Sequence, residues 1–121
     1  MGKVPTPLPI RGEIWSVNFD PSVGSEIQKL RPALVISVDS VGRLPLRMVV
    51  PVTDWKPQYA SFPWLVPIVV NSLNGLLKDS GPDAFQTKSV SLIRFGRRIG
   101  RVTAPQLDEV ASAVALCVGK T

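Results

Sequence analysis

Twelve of the 121 residues are proline, and they are spread along the whole chain. Proline lacks a backbone donor and breaks helix interiors, which argues against a helical bundle and for short extended segments. Such segments stand out as runs rich in valine and isoleucine, bounded by Pro, Gly, Asp and Asn. Residues 13–19 alternate, with Ile14, Ser16 and Asn18 on one face and Trp15, Val17 and Phe19 on the other. Residues 32–38 (PALVISV) form a continuous apolar run, the pattern of a buried strand. Residues 46–53, 64–70, 85–93 and 98–102 read as further strands, with Pro51 and Pro67 requiring an edge or a bulge. Residues 20–30 and 71–83 read as loops and 41–45 as a turn.

One segment has the opposite period. Thr103 and Gln106 make a capping-box pattern, Pro105 falls in the first turn, and Leu107, Val110, Val114 and Cys117 recur at helical spacing. Gly119 supplies a stop. The expected fold is mainly β with a C-terminal helix, a small antiparallel barrel or sandwich. The length suits one domain, residues 11–121. Residues 1–10, with Pro5, Pro7 and Pro9, are expected to be an extended, flexible arm outside the core.

Composition narrows the chemistry. There is no histidine, and Cys117 is the sole cysteine. Ser-His-Asp triads, paired-histidine nuclease sites, multi-cysteine zinc sites and intrachain disulfides are thereby removed. No metal and no cofactor is expected. The net charge of +5 and a pI near 9.9 favour polyanionic partners. No apolar run approaches membrane-spanning length, and the first ten residues carry no signal-like apolar core. The cytoplasm is the expected location, with no membrane partner.

Residues 11–37, RGEIWSVNFDPSVGSEIQKLRPALVIS, closely resemble the opening of the MazF/PemK/Kid toxins. That family reads R-G-[ED]-[IV]-[YW], then D-P-x-x-G-x-E, then R-P-[AV]-[LV]-[VI]. Val50-Pro51-Val52-Thr53 resembles its V-P-[IV]-T strand end, Gln86-Thr87-Lys88-Ser89 its Q-x-[RK]-[TS] strand, and residues 95–100 its next recurrent stretch. The resemblance implies an SH3-like barrel of the MazF/PemK/CcdB type, built as a homodimer. It implies metal-independent, sequence-selective cleavage of single-stranded RNA, mRNA above all, and an acidic, partly disordered MazE-like antitoxin as cognate partner.

RNA carries its own nucleophile, the 2′-OH. Cleavage then needs a base, positive charge on the phosphate and an acid for the leaving 5′-oxygen. Arg31, Thr53 and Glu26 are the expected catalytic residues. Arg31 precedes Pro32, which favours extended backbone, and its planar fork suits a phosphate. The family pattern places a functional arginine there. Read without it, Arg31 is equally a surface arginine pairing with Glu26, Thr53 a β-branched strand residue, and Glu26 a solvated loop glutamate. Gln86, Lys88, Lys29, Ser25 and Trp55 are the expected RNA contacts, Trp55 and Tyr59 flanking Lys56 in a stacking-competent loop. Many family members carry Asp or Glu directly before the glutamine; this chain has Phe85, which reads as a core residue or as a base-stacking ring. The base would then be Glu26 or a nearby acid such as Asp83. Arg94, Arg97, Arg98 and Arg101 form a further basic cluster. The competing readings are a toxin of the same fold that poisons a protein such as DNA gyrase, and a nucleic-acid-binding barrel without turnover.

Overall fold

A computed structural model describes residues 3–120. Six strands, β1 (Glu13–Asn18), β2 (Leu30–Val35), β3 (Leu46–Asp54), β4 (Ser80–Pro82), β5 (Lys88–Ser91) and β6 (Phe95–Arg101), precede one helix, α1 (Ala104–Cys117). All pairings are antiparallel; the sheet order is β4-β3-β2-β1-β6, and β5 also pairs with β3. The mainly-β class with a terminal helix is as the sequence indicates.

The central strands are buried on both faces. Ile14 and Leu34, partners in the β1–β2 ladder, point into one core with Val50, Val52, Ile68 and Val110 of α1. Trp15, Val17 and Ala33 point the other way, into a second core with Phe19, Val49, Val90, Leu92 and Phe95. The sheet curls barrel-like around the first core. Its open side is bridged by residues 71–75: Arg101 N donates to Leu73 O at 3.1 Å, and the buried Asn74 accepts from Leu76 N and donates to Val69 O. This seam requires Gly100, where an added Cβ would lie 2.3 Å from Asn74 O. α1 closes one end, with the full Thr103–Gln106 capping box and Gly119 at φ 82° just past its end.

Three expectations need correction. Residues 64–70 form no strand; Leu65 and Ile68 make isolated bridges to Asp83 and Ser80, because Pro63 and Pro67 interrupt any ladder. The expected loop 71–83 contains β4, which has poor strand propensity (SGP) and exists through its pairing with Val52–Asp54. The expected strand 85–93 is cut down to β5. Asp83 and Ser91 accept from the backbone N–H two residues on and turn the flanks into single 3-10 turns, Ala84–Gln86 and Leu92–Arg94.

The arm is also more engaged than its prolines suggest. Pro9 is buried, Leu8 packs on the second core, and the buried Arg47 donates from Nε to Pro9 O at 3.0 Å. Arg47 satisfies its other nitrogens on Gly42 O, Leu44 O and Leu46 O. Residues 1 and 2 of the expected arm, and residue 121, lie outside the described residues. No described helix is long and apolar enough to cross a membrane.

Gly100→Ala is expected to lower unfolding free energy by about 1–3 kcal/mol, the range for forced overpacking, because backbone must yield at the seam. Urea denaturation against wild type measures it.

Candidate active site

The loop between β1 and β2 is built from its own polar side chains. Asp20 Oδ1 accepts from Lys29 N at 3.0 Å, and Phe19 N donates to Lys29 O at 2.9 Å, which closes the loop at its neck. Lys29 takes φ 69°, a left-handed conformation that this closure holds. Glu26 Oε1 accepts from Val23 N at 2.7 Å. Arg94 Nη1, from the turn before β6, donates to Asn18 O at 3.0 Å and Asp20 O at 2.5 Å.

Gln86 fixes the far side. Its Oε1 accepts from Ile27 N at 3.2 Å and its Nε2 donates to Ser25 O at 3.1 Å. The expected RNA-contacting amide is thus occupied by backbone, and Gln86 acts here as a clamp on the loop. Glu26, Gln86 and Lys88 meet in a cleft of about 220 Å³, together with Ile27, Phe85 and Thr87.

Arg31 stands at the root of the same loop, its Nε donating to Gln28 O at 3.0 Å. That leaves both Nη groups for another acceptor. The alternative pairing with Glu26 does not form; the ion pairs among the described residues are Arg98–Glu13 and Lys78–Asp54. The β2–β3 ladder ends at Ala33 opposite Pro51. Beyond that point Thr53 pairs with Gly81 of β4, and no pairing among the described residues joins it to Arg31. Arg31 also borders a second cleft, of about 380 Å³, with Ser16, Pro32, Leu76, Lys78 and Arg97.

Trp55 is not part of this group. Its ring covers Gly81, where an added Cβ would lie 2.9 Å from it, and it meets Tyr59 edge-on at 5.8 Å. Nor does the arginine cluster act as a unit. Arg94 braces the loop, Arg98 pairs with Glu13 at 2.8 Å, and Arg97 alone of the four borders a described cleft. Phe85 reverses the core reading: it is 72% exposed. Asp83 caps the Ala84–Gln86 turn through Phe85 N at 3.1 Å, and burial raises its pKa against the opposing pull of that hydrogen bond and of the Gln86 N–H. Burial, with the Asp83 charge second, pushes the Cys117 thiol up and keeps it protonated. No three metal-ligating side chains converge among the described residues.

Glu26, Gln86 and Lys88 thus line one cleft, and Arg31, at the root of the same loop, borders the other. The chain belongs to the PemK-like, MazF-like toxins of type II toxin–antitoxin systems; the family model matches residues 10–118. It is 37% identical over 112 residues to endoribonuclease MazF9 of Mycobacterium tuberculosis, covering 88% of this chain and 92% of that protein. It is 33% identical over 103 residues to endoribonuclease PemK of Escherichia coli, covering 83% and 74%. Among solved structures, MazF of Deinococcus radiodurans superimposes with TM-score 0.76 at 25% identity, over 92% of this chain and 96% of that one. A mycobacterial endoribonuclease in complex with its cognate antitoxin shares the fold, at TM-score 0.71 and 19% identity over 92% and 95%.

Gln86→Ala is expected to free Ser25 O and Ile27 N, costing about 1 kcal/mol per lost bond at most. Faster amide exchange confined to residues 25–27 checks it. Asp83 has its folded pKa above its usual 3.8, so its contribution to stability is full below pH 3.8 and is lost as pH rises through the raised value. Asp83→Asn keeps an acceptor without the charge. It is expected to be more stable than wild type at neutral pH, with the gain vanishing on acidification past 3.8, in urea titrations over a pH series.

Proposed function

We propose that this toxin is an endoribonuclease that cleaves single-stranded RNA, mRNA in the cytoplasm, by attack of the 2′-OH, without a metal or cofactor. The observation that carries the reading is Arg31. Its Nε is fixed on Gln28 O while both Nη groups remain open beside the clamped loop. A guanidinium so held is ready to take two oxygens of a scissile phosphate.

In this mechanism the 2′-oxygen gives its proton to a carboxylate and bonds to phosphorus. The bond to the 5′-oxygen breaks, that oxygen takes a proton from water, and the carboxyl group returns its own proton to the solvent. The products are a 2′,3′-cyclic phosphate and a 5′-OH. Glu26 is the carboxylate we assign as base, since Oε1 is steadied by Val23 N and the group opens on a cleft. Arg31 neutralises the charge that builds on the phosphate oxygens. Thr53 offers its hydroxyl to a phosphate oxygen from the facing strand. Lys88 in the cleft, and Lys29 and Ser25 on the loop, extend contact to the flanking nucleotides, whereas Trp55, packed over Gly81, has no part in it. Gln86 works through the loop that it clamps. The protein acts as a homodimer, and an acidic, partly disordered antitoxin competes with RNA for this basic surface.

Purified protein incubated with mixed-sequence RNA in excess EDTA is expected to yield cyclic-phosphate and 5′-OH ends. Intact RNA across many sequence contexts overturns the reading. Arg31→Ala is expected to slow cleavage by about 10²–10³, the usual cost of removing one stabilising donor, with an unchanged circular dichroism spectrum.

A further inference from the structure

Phe85 stands between two clefts, an apolar one that it shares with Pro63, Trp64, Leu116 and Cys117 and a polar one that it shares with Glu26, Gln86 and Lys88. It is 72% exposed, whereas its neighbour Ala84 in the same turn is buried. Its backbone is nonetheless fixed, through the bond from its N–H to Asp83 Oδ1. Its nearest aromatic partner is Trp64, with centroids 6.1 Å apart and planes inclined by 52°. That tilt leaves the ring without a parallel stacking partner. Phe85 ends a line of contacting rings that runs through Trp64, Phe62 and Tyr59 to Trp55, so its base is stiff.

The ring forms a wall of the 220 Å³ cleft that also holds Glu26, Gln86 and Lys88. A cleft with one aromatic wall, an ammonium and a carboxylate is poorly matched to an apolar side chain of a protein partner. It is well matched to a nucleotide, with a planar base for the ring and a phosphate for Lys88. We propose that Phe85 is a stacking platform for one unpaired nucleobase of the RNA strand, with Lys88 on the adjoining phosphate. The proposal rests on the endoribonuclease reading and adds a subsite to it.

The test uses single-stranded RNAs 2′-O-methylated throughout, which bind without being cut. Affinity is measured for wild type, Phe85→Ala and Phe85→Trp, and an abasic residue is then moved along the best-bound oligonucleotide. One abasic position is expected to weaken wild-type binding about tenfold, the scale of a lost base–aromatic stack. Phe85→Ala is expected to bind the intact strand about as weakly and to ignore that abasic position, and Phe85→Trp to restore both affinity and sensitivity. The proposal is overturned if Phe85→Ala binds like wild type, if it keeps the abasic sensitivity, or if its sole effect is on oligomeric state by sedimentation. Cleavage of unmodified RNA by wild type and Phe85→Ala, run in parallel, separates the two ideas. Cleavage by both with equal affinity removes the platform and leaves the enzyme. Binding with the expected pattern but without cleavage removes the enzyme and leaves the platform. A wild-type protein that does neither removes both.

Discussion

Burial of β1 and β2 on both faces governs the molecule. Ile14 and Leu34 belong to the core under α1, and Trp15, Val17 and Ala33 to the core on the far side. A one-residue slip between these strands would exchange the two sets and leave both cores mispacked. The register is therefore strongly specified, and so is everything attached to the strand ends. The loop between them starts from Asn18 and returns at Leu30, and Arg31 is the second residue of β2. The two hydrophobic cores set the backbone position of Arg31, and its own bond to Gln28 O aims the guanidinium.

The loop contributes little to either core beyond Phe19 at its start and Ile27. Polar groups from distant parts of the chain hold it instead, Gln86 from one side and Arg94 from another. Each hydrogen bond contributes only about 1 kcal/mol net. Together they limit the conformations of a segment that would otherwise be mobile. A substrate then meets a shape that is already formed and loses less entropy on binding.

The helix and the central strands were legible because local pattern and long-range structure agree there. The Thr103–Gln106 box and the alternation around Trp15 specify their elements by themselves. Short motifs in the sequence carried the family, and the fold follows it. The failures have physical causes. β4 has no local signal, since serine, glycine and proline pair only because Val52–Asp54 lie alongside. Residues 64–70 have strand-like composition, but prolines deny them a ladder. Gln86 is a polar residue in the right motif, yet its amide faces backbone of another loop, which no spacing reveals. Phe85 was misjudged by type: a phenylalanine is normally covered, and only the turn set by Asp83 exposes it.

Arg47 has a consequence for how the chain can be cut. Its guanidinium, 5% exposed, bonds to backbone carbonyls on both sides of the entry to β3 and to Pro9. Next to it, Ile10 N bonds to the Glu13 carboxylate and Arg11 N to Asp39. A protease trimming the leader up to about Leu8 would leave this knot intact. A nick a few residues later would release Pro9 from the buried guanidinium, while β1 stays joined through its far end and paired with β2 and β6. The barrel thus reaches back past its first strand to the Pro9 carbonyl and the Leu8 side chain, residues that nothing in their own chemistry marks out.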